Sequence, residues 1–244
     1  MRTVDGAACA IEVEVATPSK SQDTGHLLLL CHGLPLHRGG GGNASKLLPE
    51  LAARMAADSG WSVAVSSLRG VGGAAGTFSA SGWLEDLIAV IGSVSADHQK
   101  ISLAGFGFGG ALALRAAVEV ESIRAVAALA TPADLGAWCG SPEAFAAACE
   151  RAGVVGSEPM LEPMALRADV LAIDPLGAAA DVPPRRIMIV HGADDFVVPA
   201  DEARQLVEAA EGRAELRIIQ GAGHWLRADP RMVATLLGWL DRQR

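Results

Sequence analysis

The sequence around residue 107 has the frame of a turn that presents a catalytic nucleophile. It reads Gly105-Phe106-Gly107-Phe108-Gly109, between an aliphatic run and an alanine-rich segment. This is the G-x-S-x-G pattern of a nucleophile elbow, a sharp strand-to-helix turn that exposes its central side chain at the top of a sheet. Glycine suits the unusual dihedral angles of that position, but it carries no hydroxyl group. The pattern predicts a site built for acyl transfer, with Gly107 where the serine would stand.

Two further residues follow in the order that a Ser-Asp-His triad requires after an elbow. Asp195 is the second aspartate of H-G-A-D-D-F-V-V-P, and His224 ends the sequence G-A-G-H. In such a triad the aspartate orients the histidine, which acts as the base. We predict these roles for Asp195 and His224, with Asp194 and Asp134 as competing acids. The structural alternatives are that Asp195 caps a helix and that His224 is an ordinary loop histidine.

A loop near the N-terminus is predicted to stabilise negative charge. Residues 32–36 read H-G-L-P-L and follow an apolar run. In elbow-type sites one backbone N–H from this loop and one from the residue after the nucleophile form the oxyanion hole. The predicted donors are Leu34, or alternatively Leu36, and Phe108, because the intervening proline has no N–H. The first residue of the loop, His32, is predicted to be a structural hydrogen-bonding residue.

Strands and helices alternate along the chain, which is typical of a mostly parallel sheet covered by helices on both faces. Alternating apolar and acidic residues at Ala10–Ala16 predict a half-exposed edge strand, and the apolar run His26–Cys31 predicts a buried central strand. Further strands are predicted at 61–68, 100–104, 125–130, 186–190 and 214–219, and helices at 45–59, 81–94, 110–120, 200–210 and 231–241. We predict a single domain over 1–244, with 133–184 as a small helical, lid-like insertion.

In combination these motifs resemble the α/β-hydrolase superfamily, from about residue 26 onward. The family's motifs fall on His32-Gly33, on an arginine-glycine turn at Arg69-Gly70, on Asp195 and on His224. The segments 32–42 and 69–76 are most similar to small bacterial dienelactone hydrolases and acyl esterases. The resemblance implies the α/β-hydrolase fold and descent from enzymes that cleave an ester or related acyl bond. Gly107 departs from the family's pattern because it removes the nucleophile.

Composition and charge exclude several classes of function. Half of the 244 residues are hydrophobic and 20% are charged, which predicts a folded protein. The net charge of −8, without a long Lys/Arg cluster, argues against a nucleic-acid partner. Glu12 and Glu14 interrupt the apolar residues over 7–15, so that segment does not predict a signal peptide. No apolar run reaches the length of a membrane span. We predict a cytoplasmic protein without a membrane partner.

The sequence predicts neither a metal site nor an organic cofactor. Its four cysteines lack metal-ligand spacing and are predicted to be free thiols: Cys9, Cys31, Cys139 and Cys149. The glycines over 39–42 lack the Gly-Lys-Ser/Thr of a P-loop and predict a flexible loop. A dinucleotide fingerprint at 105–110 is disfavoured because no acidic residue ends the next predicted strand.

The predicted pocket is apolar, with Leu36, Phe106 and Trp225 among its lining residues. Four aromatic and methionine side chains of the insertion are also available to line it: Trp138, Phe145, Met160 and Met164. The predicted ligand is a small apolar, acyl, ester or lactone-like molecule. Two functions follow. The first is ligand binding without ordinary serine-hydrolase activity, which the missing nucleophile favours. The second is a hydrolase or lyase in which Asp195 and His224 act as acid and base with water as the nucleophile.

Overall fold

The computed structural model describes residues 2–5, 9–42, 44–98, 100–156 and 158–242. Eight strands of these residues form one sheet: β1 Arg2–Asp5, β2 Ala10–Ala16, β3 His26–Cys31, β4 Ser62–Ser66, β5 Lys100–Phe106, β6 Ile123–Leu129, β7 Arg186–Gly192 and β8 Ala214–Ile219. Their spatial order is β1-β2-β4-β3-β5-β6-β7-β8. The pairs β1–β2 and β2–β4 are antiparallel, and the others are parallel. Residues 7 and 8, in the segment tested for a signal peptide, and residue 157, in the predicted insertion, lie outside the described residues.

Helices cover both faces of this sheet. They are α1 Leu48–Ser59, α2 Ala80–Ser95, α3 Phe108–Glu119, α4 Leu135–Cys139, α5 Pro142–Ala152, α6 Pro163–Leu171, α7 Pro175–Asp181, α8 Ala200–Ala209 and α9 Pro230–Asp241. Buried side chains of α1 and α9 form the core on one face, and those of α2, α3, α7 and α8 belong to the core on the other. Strand β3 is buried over its whole length between the two cores, as its continuous apolar run predicts. None of the helices in the described residues is both long and apolar enough to cross a membrane.

The predicted edge strand is not at an edge. Strand β2 has the predicted bounds and alternating burial, but β1 pairs with its outer side. The prediction was wrong because β1 has only four residues, too few for a recognisable alternation of polar and apolar side chains. The edge position belongs to β1.

The glycine run predicted as a flexible loop forms a packed 3₁₀ turn over Gly40–Gly42. A Cβ atom on Gly41 would lie 2.7 Å from the carbonyl oxygen of Gly153, at the end of α5. The N–H of Gly72 also donates a hydrogen bond to the carbonyl of Gly41. These glycines therefore allow three backbone segments to approach one another closely.

The segment predicted as an insertion contains four helices. Helix α6 contacts α2, α4 and α5, whereas α7 packs against α3 and α8 beside the sheet. The ring of Trp138 in α4 stacks on Phe108, the first residue of α3, with 5.3 Å between the ring centroids. The insertion is therefore in direct contact with the turn that contains Gly107.

Candidate active site

Gly107 lies at the tip of the turn between β5 and α3. Its backbone angles are φ 55° and ψ −126°, a conformation that residues other than glycine rarely adopt. The positions two residues before and after it also accept only glycine. A Cβ atom on Gly105 would collide with the carbonyl of Gly109, and one on Gly109 would collide with the carbonyl of His32. The glycine spacing thus allows β5, α3 and the loop after β3 to meet at one point.

A side chain at position 107 would point towards His224. A Cβ atom built on Gly107 has one neighbour within 4 Å, the Nε2 atom of His224 at 3.8 Å. The elbow and the histidine therefore face each other across a gap of the size that a side-chain hydroxyl would bridge.

The structure brings Asp195, but neither competing aspartate, into contact with His224. Asp195 follows β7, and its Oδ2 lies 2.8 Å from Nδ1 of His224, which follows β8. Its Oδ1 accepts hydrogen bonds from the N–H groups of Val197 and Val198, each at 2.9 Å. Asp194 is exposed. Asp134 caps α4 by accepting a hydrogen bond from Ala137. With Nδ1 donating to Asp195, the Nε2 atom of His224 is left as an acceptor directed at position 107.

A second histidine touches the same carboxylate and was not predicted. His191, in β7, is fully buried, and its Nε2 lies 2.9 Å from the carbonyl oxygen of Val198 and 3.3 Å from Oδ2 of Asp195. Since a carbonyl oxygen can only accept a hydrogen bond, Nε2 of His191 must be the protonated ring nitrogen that donates it. Burial raises the pKa of Asp195, but hydrogen bonds from His191, His224 and the Val198 N–H lower it more, and the net pKa lies well below the ordinary aspartate value. Asp195 is therefore a fixed anion at neutral pH.

His32 is buried and holds two backbone segments together, the structural role predicted for it. Its Nδ1 lies 3.1 Å from the carbonyl oxygen of Gly33, and its Nε2 accepts a hydrogen bond from the N–H of Leu68 at 3.0 Å. These two contacts fix the neutral tautomer. Burial lowers the pKa of His32 to about 4. His32 is therefore unprotonated at neutral pH and holds the loop over 32–36 against the end of β4.

The predicted oxyanion donors belong to residues that border the same cavity as Gly107. Leu34 and Phe108 both border the cavity above it, as does Leu36. Phe108 is the first residue of α3, so its N–H has no acceptor within the helix. No hydrogen bond to another described residue occupies the N–H of Leu34 or of Leu36. The choice between these two loop donors therefore stays open.

A cavity of about 230 Å³ opens above the turn. Leu36, Phe106 and Trp225 border it, and so does Trp138 from α4. The complete lining is Gly33, Leu34, Pro35, Leu36, His37, Ala44, Phe106, Gly107, Phe108, Leu129, Trp138, Val197, His224, Trp225, Leu226 and Arg227. The wall is predominantly apolar and aromatic.

Three insertion residues offered for this lining are absent from it. Phe145 is buried in the core and packs against Trp138, behind the cavity wall. Met160 also packs on the core, and 69% of the Met164 side chain is exposed. The sequence located these side chains in the insertion but did not indicate which way each one points. It also gave no signal for several lining residues, Val197 and Arg227 among them, whose positions depend on tertiary folding.

The comparison with protein families identifies the family of the chain. Residues 50–244, a range that includes Gly107, Asp195 and His224, match the prolyl oligopeptidase family. The chain belongs to the prolyl oligopeptidase family. Membership in the prolyl oligopeptidase family confirms the hydrolase-like architecture and the α/β-hydrolase superfamily predicted from the motifs. No curated protein matches the sequence.

Solved structures share the fold of this prolyl oligopeptidase family member. An α/β serine hydrolase homologue from Coxiella burnetii is 23% identical, with a TM-score of 0.66 over 99% of this chain and 95% of that chain. An α/β serine hydrolase without a lid from Xanthomonas campestris is 24% identical, with a TM-score of 0.66 over 99% and 91%. Est1E from Butyrivibrio proteoclasticus is 14% identical, with a TM-score of 0.75 over 99% and 98%. These likenesses confirm the predicted α/β-hydrolase fold.

No group of three or more His, Cys, Asp or Glu side chains within the described ranges is arranged to hold a metal ion. The described cysteines are free thiols, and burial raises the pKa of Cys31, Cys139 and Cys149 to about 12 in each case. None of them borders the cavity. Among the described residues, the ionisable side chains that border the cavity are His37, His224 and Arg227.

Proposed function

We propose that the chain is a family member without ordinary serine-hydrolase activity, and that its cavity binds a small apolar ligand of the acyl, ester or lactone type. One observation carries this proposal. None of the described residues that line the cavity has a hydroxyl or thiol group. The position that faces His224 is occupied by Gly107. The histidine therefore has no side-chain nucleophile to deprotonate.

The size of this loss decides between binding and serine-type turnover. In a serine protease with a Ser-His-Asp triad, removing the serine lowers turnover roughly a millionfold. An oxyanion hole and substrate binding alone still accelerate the reaction roughly 10³–10⁴-fold over the uncatalysed reaction in water. The site keeps the features needed to hold an acyl group, namely unoccupied backbone donors and an apolar wall. Binding is thus the function that the remaining groups support best.

Occupancy of the cavity is tested by thermal shift and ligand-detected NMR with methyl hexanoate as the probe. We expect saturable binding to the wild type, and loss of binding in Val197→Trp, because Val197 borders the cavity and the larger ring would fill it. Phe196→Trp is the matched control, since Phe196 is 97% exposed and does not border the cavity. Equal binding by the wild type and Val197→Trp would place the ligand elsewhere and refute the proposal.

The intact Asp195–His224 pair favours a second function, in which His224 activates a water molecule. In this hydrolysis Nε2 of His224 removes a proton from water as the water oxygen attacks the acyl carbon. The ester bond then breaks, and the protonated histidine returns the proton to the leaving alkoxide. The negative charge of Asp195 stabilises the histidine cation formed in between.

The water mechanism makes its own prediction. Ester turnover would disappear in both His224→Ala and Asp195→Asn, and mass spectrometry would detect no acyl-enzyme during turnover. Turnover that survives His224→Ala would contradict this mechanism, and an acyl-enzyme would show that some side chain acts as the nucleophile.

A further inference from the structure

Arg227 borders the cavity from the turn that follows His224. Its guanidinium carbon lies 5.2 Å from the ring centroid of Trp225, within the range of a cation–π contact. Both residues line the same cavity as Gly107. Arg227 is half-buried, and burial lowers its pKa. A positive charge thus stands at the wall of an otherwise apolar cavity.

This charge lacks the partners that comparable cations have. Five other arginines of the described ranges are not exposed, and each donates to a carboxylate or carbonyl oxygen: Arg2, Arg69, Arg115, Arg167 and Arg185. The described lysines and arginines that make no such contact are exposed, apart from Arg227. A half-buried guanidinium with no oxygen partner among the described residues is costly, because its hydration is reduced and no anion of that part of the chain compensates for it.

We propose that Arg227 binds the carboxylate of the ligand, so that the cavity selects small apolar monocarboxylates over their neutral analogues. This inference rests on the proposed function and narrows its ligand from the acyl, ester or lactone type to an acyl compound with a free carboxylate. The guanidinium presents a planar fork of donors that matches a carboxylate. Phe106, Phe108 and Trp138 are then available to pack against the apolar body.

The charge balance of the site favours a single negative charge on the ligand. The other ionisable side chains at the cavity wall are His37 and His224, and the carboxylate of Asp195 lies behind His224. Arg227 is therefore the permanent positive charge of the described wall. A dianion would leave one charge uncompensated near Asp195.

The test compares two probes that share an apolar body, 3-phenylpropanoate and 3-phenylpropanamide. Affinities are measured by calorimetry for the wild type, Arg227→Gln, Arg227→Lys and Arg54→Gln. Arg54 is the matched control because it is exposed on α1 and does not line the cavity, and its replacement changes the net charge equally. Thermal unfolding of each variant verifies that it is folded.

We expect the wild type and Arg54→Gln to bind the carboxylate at least about tenfold more tightly than the amide, the size of a charge-assisted hydrogen bond. Arg227→Gln should bind both probes with the amide's affinity, and Arg227→Lys should retain part of the preference. Equal affinities in the wild type, or an undiminished preference in Arg227→Gln, would overturn the carboxylate assignment while leaving ligand binding intact. Binding of neither probe would overturn both proposals.

Discussion

In the function proposed here Gly107 decides what the site can do, because Asp195 and His224 are positioned beside it as the acid and base of a triad would be. Its backbone has φ 55° and ψ −126°, and the His224 Nε2 lies 3.8 Å from where its Cβ would be. Asp195 holds Nδ1 of that histidine at 2.8 Å. The site therefore has a prepared base with no side-chain hydroxyl in front of it.

Gly107→Ser should install esterase activity. We expect hydrolysis of 4-nitrophenyl butyrate to rise at least about a hundredfold over the wild type, since a side-chain nucleophile is the largest single contribution that the site lacks. Gly107→Ala is the control, because it adds the same Cβ without the hydroxyl. Both variants should lose about 1–3 kcal/mol of unfolding free energy to the positive φ angle. If Gly107→Ser is folded but no more active than Gly107→Ala, the assignment of Gly107 to the nucleophile position is wrong.

The turn that carries Gly107 depends on close approach between three elements. The end of β5, the start of α3 and the loop after β3 meet at Gly105 and Gly109, where any Cβ atom would collide with a backbone carbonyl. Backbone atoms cannot move aside as the end of a flexible side chain can, so the whole turn would shift. The geometry of the site is thus set by packing between elements.

Gly109→Ala should lower the unfolding free energy by at least about 2 kcal/mol, as expected for overpacking in a rigid core. The matched control is Gly92→Ala in α2, where the added Cβ meets nothing within 4 Å. That exposed helical position should gain up to about 1 kcal/mol, because alanine loses less backbone entropy than glycine. Chemical denaturation measures both values. Equal effects of the two substitutions would contradict the packing role of Gly109.

Several elements were predictable because their patterns are local. The bounds of β2, β3 and β8 follow from alternation or continuous apolar runs. Strand β1 was missed because it is short and is stabilised by pairing with β2. Helix α1 begins at Leu48 instead of residue 45, with Pro49 in its first turn, where the missing N–H of proline costs no intrahelical hydrogen bond.

The motifs predicted the residues of the candidate site and the contact between Asp195 and His224, but not the other contacts around them. Gly107, Asp195 and His224 were identified from their spacing and order, which depend on a few residues each. The contact of His191 with Asp195, and the position of Arg227 over Trp225, depend on side-chain directions that only the folded chain determines. The same holds for Phe145, which packs behind the cavity wall instead of lining it.

The stability of the whole molecule should fall in mildly acidic solution because of His32. Its pKa is about 4 in the folded chain, against about 6.5 for a histidine in an unfolded chain. Between these values the unfolded chain binds a proton that the folded chain does not, so stability decreases as the pH falls from 6.5 to 4. The low pKa of Asp195 acts in a different range, because its contribution is lost only as the pH falls through and below that of an unfolded aspartate.

The wild type should lose about 3 kcal/mol of unfolding free energy to His32 between pH 7 and pH 4, from a pKa difference of roughly 2.5 units. His32→Gln keeps a donor and an acceptor at this position without a titrating ring, so its stability should depend less on pH. His98→Gln removes a histidine outside the core and should retain the wild-type dependence. Urea titrations at four pH values give the unfolding free energy of each protein, and hence the slope of that free energy against pH. If the free energy of unfolding changes with pH equally in the wild type and His32→Gln, His32 is not the source of the pH dependence.

Whether the protein turns over an ester is measured directly by hydrolysis of short- and medium-chain acyl esters, with the purified wild type and His224→Ala in parallel. Because the described residues of the cavity wall have no hydroxyl or thiol, we predict that the wild type shows no turnover above that of His224→Ala, although it binds the probes. Turnover by the wild type that disappears in His224→Ala would contradict the binding function. It would show that the Asp195–His224 pair drives catalysis without a serine.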